Sequence, residues 1–241
     1  SIFLKNKIHY SNKNVDYILK FNRIFNGGFE SGGRYYESSG LIQNLSSIER
    51  GKITINGNNV IEADFKHIHM SFLYDYLDVK MPQDFDPYLI EPEKLGLEYT
   101  PEIAMQLRKL CKSSMCTLIC SKNYAQCYGS IKYEFIENKK SGMYSLLSDE
   151  LNVHSFIKII KEHNFEIGKY FHSGIGLELQ RKDSDIAELG INHFTKKDVV
   201  VIPIHDSFIV EKQYEQELKN IMIKSHKDIM GSNGNCRVEV K

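Results

Sequence analysis

The stretch that decides the fold is Val199-Val200-Val201-Ile202-Pro203-Ile204-His205-Asp206-Ser207-Phe208-Ile209-Val210-Glu211. Two apolar runs rich in β-branched residues flank a His-Asp pair. The pattern predicts a strand, a tight turn and a second strand, with the Asp206 carboxylate at the tip. An Asp there contributes little to packing and is well placed to hold a metal ion over a groove. Upstream, Val60-Ile61-Glu62-Ala63-Asp64-Phe65 reads as a strand ending at Asp64, and the apolar spacing of residues 66–74 suits a following helix. Taken alone, each Asp reads first as a turn or cap residue. As a pair at two strand ends they suit two divalent cations, because hard oxygen donors suit magnesium. Two such ions about 3.5–4 Å apart can clamp the attacking and leaving oxygens of an in-line phosphoryl displacement.

What lies around these two positions strengthens that reading. Gly33-Arg34-Tyr35-Tyr36 is followed by Leu41-Ile42-Gln43-Asn44-Leu45, then Asp64-Phe65, then Arg108 and Lys112 four residues apart. Gln180 with Asp185-Ile186 and Ile204-His205-Asp206 complete the series. In this order the segments resemble the motifs of family A DNA polymerases, closest to the short, palm-centred members carried by phages and mobile genetic elements. The resemblance implies an α+β fold: a polymerase palm whose small antiparallel sheet carries catalytic Asp64 and Asp206, a helical fingers subdomain, and a thumb reduced or absent. Residues 1–32 would be a helical or irregular lead-in (thumb remnant or linker) and 33–100 the first part of the palm. Residues 101–165 would be a fingers-like insertion and 166–241 the second part of the palm.

The same resemblance implies that Asp64 and Asp206 hold two Mg2+ ions, for which Mn2+ can substitute. Arg108, Lys112, His69 and Phe65 would meet the incoming nucleotide. Arg34, Gln43, Asn44, Gln180 and His205 would meet the nucleic acid. The implied activity is extension of a 3′-end from nucleoside triphosphates on a DNA primer–template or single-stranded template in replication, with primer synthesis as a fitting role. Arg108 and Lys112 share one helix face, where a forked guanidinium and a mobile ammonium can neutralise a triphosphate.

Three departures qualify the pattern. Cys116 and Cys120 stand where the family has large aromatics, although Tyr124 and Tyr128 lie near. His69 stands five residues after Asp64, where DNA polymerases of the family place a Glu that blocks a ribose 2′-OH, so ribonucleotide use is an open expectation. Ser207 follows Asp206 where repair-type members carry a second acid, and Glu211 reads either as its substitute or as a solvent-facing strand residue. No segment resembles a proofreading exonuclease, and the 32 residues before Gly33 are too few for the family's long thumb. Low processivity is expected, with a protein partner or missing domain supplying grip. Two rivals remain: a catalytically degenerate polymerase-like subunit that only binds nucleic acid, and an HD-type metal phosphohydrolase, which would need a helix rather than a strand at 199–204.

Length and charge agree with a compact enzyme. At 241 residues the chain can bury a core as one domain or two closely joined ones. The 31 basic and 31 acidic side chains cancel, so the bulk signature of a nucleic-acid binder is missing. Their distribution is uneven, acidic over 72–102 and basic over 105–140, which suits a site with local positive charge and equally suits two solvated helix faces. The five cysteines form no CxxC pair, which argues against zinc and for buried, reduced thiols in the cytoplasm. No run reaches the ~18 apolar residues of a membrane span. The chain begins without Met or a signal-peptide layout, so an excised fragment of a longer protein is expected. Asn56-Gly57 marks a hairpin, Thr100-Pro101 opens a helix, helical patterns run to 165, and 212–230 reads as a closing helix.

Overall fold

Asn56 and Gly57 both have positive φ, 53° and 83°. This is the turn geometry that folds one strand directly back on the next, and Asn-Gly tolerates it best. It joins β4 (Thr54–Ile55) to β5 (Asn58–Phe65), with Ile55 opposite Asn58. The computed structural model describes residues 8–9, 19–232 and 234–241. It divides into two units, Ser1–Asp75 with Leu177–Lys241, and an inserted unit, Tyr76–Gly176. The fold is α+β, with a small antiparallel sheet and several helices.

In the first unit, the described strands run in the order β1 (Ile8–His9), β4, β5, β7 (Ser207–Glu211) and β6 (Ile202–Ile204). β8 (Val238–Val240) covers the end of the β5 edge that β4 leaves open, with Asp64 opposite Glu239. All these pairings are antiparallel. The strand, turn and strand expected around Asp206 are present, and β6 removes the helix that an HD-type hydrolase would need. Side chains alternate between the faces of a strand. Ile55, Ile202 and Ile209 therefore join Ile8, Ile42 and Ile53 in one apolar cluster, while α7 (Glu215–Met230) packs on β5 and β7. α2 (Ile68–Tyr76) follows β5 as expected, and α6 (Gly176–Thr195) leads back towards β6. At Gly190 on α6 a Cβ would come 3.3 Å from the Phe208 ring, so the small residue allows this close approach.

The lead-in differs from its expectation. β2 (Phe21–Phe25) and β3 (Gly32–Glu37) form a separate two-stranded ribbon, where a helical or irregular segment was anticipated up to residue 32. Arg23 explains why: it is drawn to α6 by Asp185 at 3.0 Å and Glu188 at 2.5 Å, partners far away in sequence. Residues 1–7 and 10–18 of the lead-in lie outside the described residues.

The inserted unit spans Tyr76–Gly176, which contains the segment 101–165. It is built on α3 (Pro101–Cys120), α4 (Tyr124–Lys140) and α5 (Val153–His163). Thr100 caps α3 by accepting a hydrogen bond from the Ile103 amide at 3.1 Å, with Pro101 at the first helical position. Leu107, Leu110, Leu118, Ile131, Phe156 and Ile160 are fully buried, each stabilising the unit by about 1.5–3 kcal/mol relative to exposure. Cys111 and Cys127 are buried thiols, and burial pushes both up in pKa. Cys116 and Cys120 are exposed, contrary to the expectation that the cysteines pack inside. Among the described residues no helix is long and apolar enough to cross a membrane.

Candidate active site

Asp64 stands directly opposite Ser207 in the β5–β7 ladder. The Phe65 amide donates to the Asp206 carbonyl at 3.2 Å, closing the tip of the β6–β7 turn against the end of β5. The two carboxylates identified from sequence are thereby brought onto neighbouring strand ends. Burial raises the pKa of Asp64, the Asp206 charge raises it further, and Lys241 opposes both. Two like charges held together in this way call for a cation. The residue that supplies one is Lys241, whose Nζ lies 2.5 Å from Asp64 Oδ2. Its backbone amide donates to the Glu62 carbonyl at 2.9 Å, which continues the β8 pairing and fixes its position.

Glu62 belongs to the same face as Asp64, two residues earlier on β5. Arg50 holds it through two 2.8 Å hydrogen bonds, and the Ser207 hydroxyl donates to it at 2.8 Å. Those donors bring its pKa down against the effect of burial. Ser207 thus serves to orient an acid on the neighbouring strand. Glu211 lies at the far end of β7 opposite Val60, buried and bonded by Asn56 and Asn58. It is neither a solvent-facing residue nor a neighbour of the turn.

His205 carries the strain of the turn, at φ 55°. Its ring packs edge-on against Tyr36 at 5.8 Å, and Nδ1 is buried without a hydrogen-bond partner among the described residues. Burial, helped by the Arg34 charge, lowers its pKa.

A second cluster forms around Asp183 on α6, whose side chain is 1% exposed. It accepts from Arg34 at 2.6 and 3.2 Å and lies 2.9 Å from His69 Nε2. Arg34 and His69, far apart in sequence, are therefore held by one buried acid that sequence reasoning missed. Gln43 is also engaged inside the protein: its amide donates to the Tyr35 and Pro203 carbonyls at 3.0 Å, and its oxygen accepts from the Glu37 amide at 2.8 Å. It straps the β3 segment to β6. Asn44 is exposed and Gln180 half-buried on α6. Phe65, expected to face a nucleotide, is 3% exposed, with its ring 6.3 Å from that of His226 in the core.

In the inserted unit, Arg108 and Lys112 occupy α3 as expected. Arg108 Nε lies 2.7 Å from Asp86 Oδ2, and its guanidinium stands 5.7 Å from the centre of the Tyr88 ring. Lys112 is exposed. Among the described residues no three His, Cys, Asp or Glu side chains converge as a ready-made metal cage. The fit to a metal is therefore that of a carboxylate pair with a cation already drawn to it, which suits an ion that keeps water or substrate oxygens as its other ligands.

No protein-family model matches the chain, and no curated protein matches it. Among solved structures it is similar to the POL domain of Pol1 from M. smegmatis, solved in complex with DNA primer-template and dNTP, at a TM-score of 0.51 and 11% identity. The match covers 92% of this chain and 46% of that one, so the chain spans about half the length of its neighbour. At this identity the likeness is one of fold.

Proposed function

We propose that the chain is a template-directed nucleotidyltransferase that extends a nucleic-acid 3′-end from nucleoside triphosphates, with Asp64 and Asp206 as the catalytic pair. The observation that carries this reading is the pairing of Asp64 with Ser207 at the closed tip of β6–β7, which sets two carboxylates side by side on a polymerase-like fold. Asp64 and Asp206 would hold Mg2+, with Mn2+ as a substitute. When bound, the metal supplies Lewis acidity for the 3′-hydroxyl and charge stabilisation for the triphosphate. Arg50 and Ser207 hold the neighbouring Glu62 in hydrogen bonds, which leaves Asp64 and Asp206 as the pair open to a metal. Arg34 is fixed by Asp183 and adds a positive field felt at Asp206. Arg108 and Lys112 remain the residues that the motif resemblance assigns to nucleotide phosphates. DNA primer–template or single-stranded template, and a protein aiding grip, are the partners this reading implies.

One observation favours a second reading. An ammonium already rests on Asp64, as it would in a degenerate subunit that binds nucleic acid and has replaced the metal by Lys241. Extension of a labelled primer–template with Mg2+, offering deoxy- and ribonucleotides separately, decides between them. Template-directed products that vanish in Asp206→Ala support the polymerase. Intact binding without products supports the subunit.

A further inference from the structure

Three rings in the inserted unit are stacked in near-parallel. Tyr124 and Tyr128, one turn apart on α4, lie with ring centres 6.4 Å apart and planes inclined by 21°. His154 on α5 stacks on Tyr128 at 4.1 Å and 15°, and lies at the same inclination to Tyr124 at 5.8 Å. The Tyr124 hydroxyl is bonded to His154 Nδ1 at 2.6 Å, which locks the assembly. These rings do not close a core. Tyr124 is 40% exposed, His154 is exposed, and Phe165 stands open nearby at 71%.

Beside them is a cleft of ≈ 390 Å³ lined by Tyr124, His154, Lys158, Lys161 and Phe165, within the size range of small-ligand sites, roughly 300–1,000 Å³. His154, Lys158 and Lys161 fall at i, i+4 and i+7 on α5, one face of the helix. Glu162 is the acid at this cleft, and it lies 3.8 Å from Lys158, at the limit of an ion pair. Lys161 makes no ion pair among the described residues. Burial raises the Cys127 pKa and the Lys161 charge opposes it, while burial, helped by the Lys161 charge, lowers that of His172. On α4, Lys132 Nζ lies 5.8 Å from the centre of the Tyr128 ring.

Flat, fixed π surfaces alternating with cations match unpaired nucleotides, whose bases stack while their phosphates meet lysine. A duplex keeps its base faces covered and can use only the charge. A peptide helix would want an aliphatic groove, which rings edged by lysines do not provide. We propose that Tyr124, Tyr128, His154 and Phe165, with Lys158 and Lys161, form a binding surface for single-stranded nucleic acid. This surface belongs to the inserted unit and does not depend on Asp64 or Asp206.

The test uses the full chain without nucleotides or divalent metal, so its outcome is independent of catalysis. Binding of a fluorescent single-stranded oligonucleotide is followed by anisotropy across a salt series. His154→Ala with Phe165→Ala is expected to weaken binding by roughly tenfold or more. Lys158→Ala with Lys161→Ala should lower the salt slope by about 1.4, at about 0.7 per phosphate contact on a single strand. Lys224→Glu on α7, exposed in the other unit, serves as the control. Photocrosslinks from a 5-iodouridine oligonucleotide should map within residues 124–165. Unchanged affinity in the ring variants with crosslinks elsewhere, or equal competition by duplex, would overturn the proposal. Binding of a free mononucleotide as tightly as the strand would also overturn it, by showing a small-ligand site.

Discussion

Lys241 Nζ lies 2.5 Å from Asp64 Oδ2 and 3.6 Å from Glu62 Oε1, so a lysine directly after the last strand balances the acids of β5. A metal ion at Asp64 has to share or displace that ammonium. Lys241 is 44% exposed, and an exposed pair contributes at most about 1 kcal/mol. Lys241→Ala should therefore bind Mg2+ up to about fivefold more tightly in a calorimetric titration. The variant should also melt at a lower temperature than wild type in chelator and recover in Mg2+, because the metal then takes over Lys241's part in offsetting the Asp64–Asp206 repulsion. Weaker Mg2+ binding in the variant would show that Lys241 helps to build the site and does not compete for it.

Asp183 is the hub between Arg34 and His69. Replacing it by Asn leaves the mostly buried Arg34 guanidinium without its counter-charge, a loss of about 3 kcal/mol or more when a buried pair is broken from one side. Urea denaturation of Asp183→Asn should show a loss of that size, and His69→Gln, which keeps a donor towards Asp183, a much smaller one. His69→Glu would set two carboxylates together at a buried position and should destabilise the fold. The sugar-selectivity question is therefore best asked with His69→Gln, comparing deoxy- with ribonucleotide incorporation.

The parts of this architecture readable from sequence are those with a local cause. Val and Ile runs around a turn gave β6 and β7, the left-handed preference of Asn56-Gly57 gave the hairpin, and Thr100-Pro101 gave the start of α3. The parts that were not readable depend on distant partners. β2 alternates half-buried and exposed positions, and its central half-buried residue, Arg23, is held in by Asp185 and Glu188. β8 has three residues and little signal of its own, and is a strand because β5 offers an open edge. Both catalytic candidates could be found from motif and setting. Asp183, Glu62 and Lys241 could not, since each is defined by contacts with residues far along the chain.

Gly33 has φ +87°, and a Cβ there would lie 2.8 Å from the Phe25 ring and 3.0 Å from Arg23 Nη2. Gly33→Ala must strain the backbone and push the β2–β3 ribbon apart, at a cost of about 1–3 kcal/mol. Arg34 follows directly, so its grip on Asp183 should loosen as well. Gly57, also at positive φ but with open space around it, should suffer only the backbone strain in Gly57→Ala. A larger drop in melting temperature for Gly33→Ala than for Gly57→Ala separates steric crowding from strain.

His226 is expected to give the fold a pH dependence. Its side chain is fully buried, with rings of Phe72 and Phe65 at 5.4 and 6.3 Å. Nδ1 donates to the Ser232 carbonyl at 3.0 Å, while Nε2 lies 3.5 Å from Asp75 Oδ2 without a hydrogen bond. Burial dominates these influences and lowers the pKa below 6.5. Below pH 6.5 the unfolded chain accepts a proton that the folded imidazole refuses. Stability is therefore fully present above that pH and falls as pH drops towards the folded pKa, by up to about 1.4 kcal/mol per pH unit. His205 and His172 are shifted in the same direction and add to the trend. Melting temperatures from pH 8 to pH 5 should decline below about pH 6.5, and His226→Gln, which cannot titrate, should decline less steeply. An NMR titration of the wild-type imidazole checks the same point without a variant: a His226 resonance that titrates above 6.5 would reverse the sign and make Asp75 its partner.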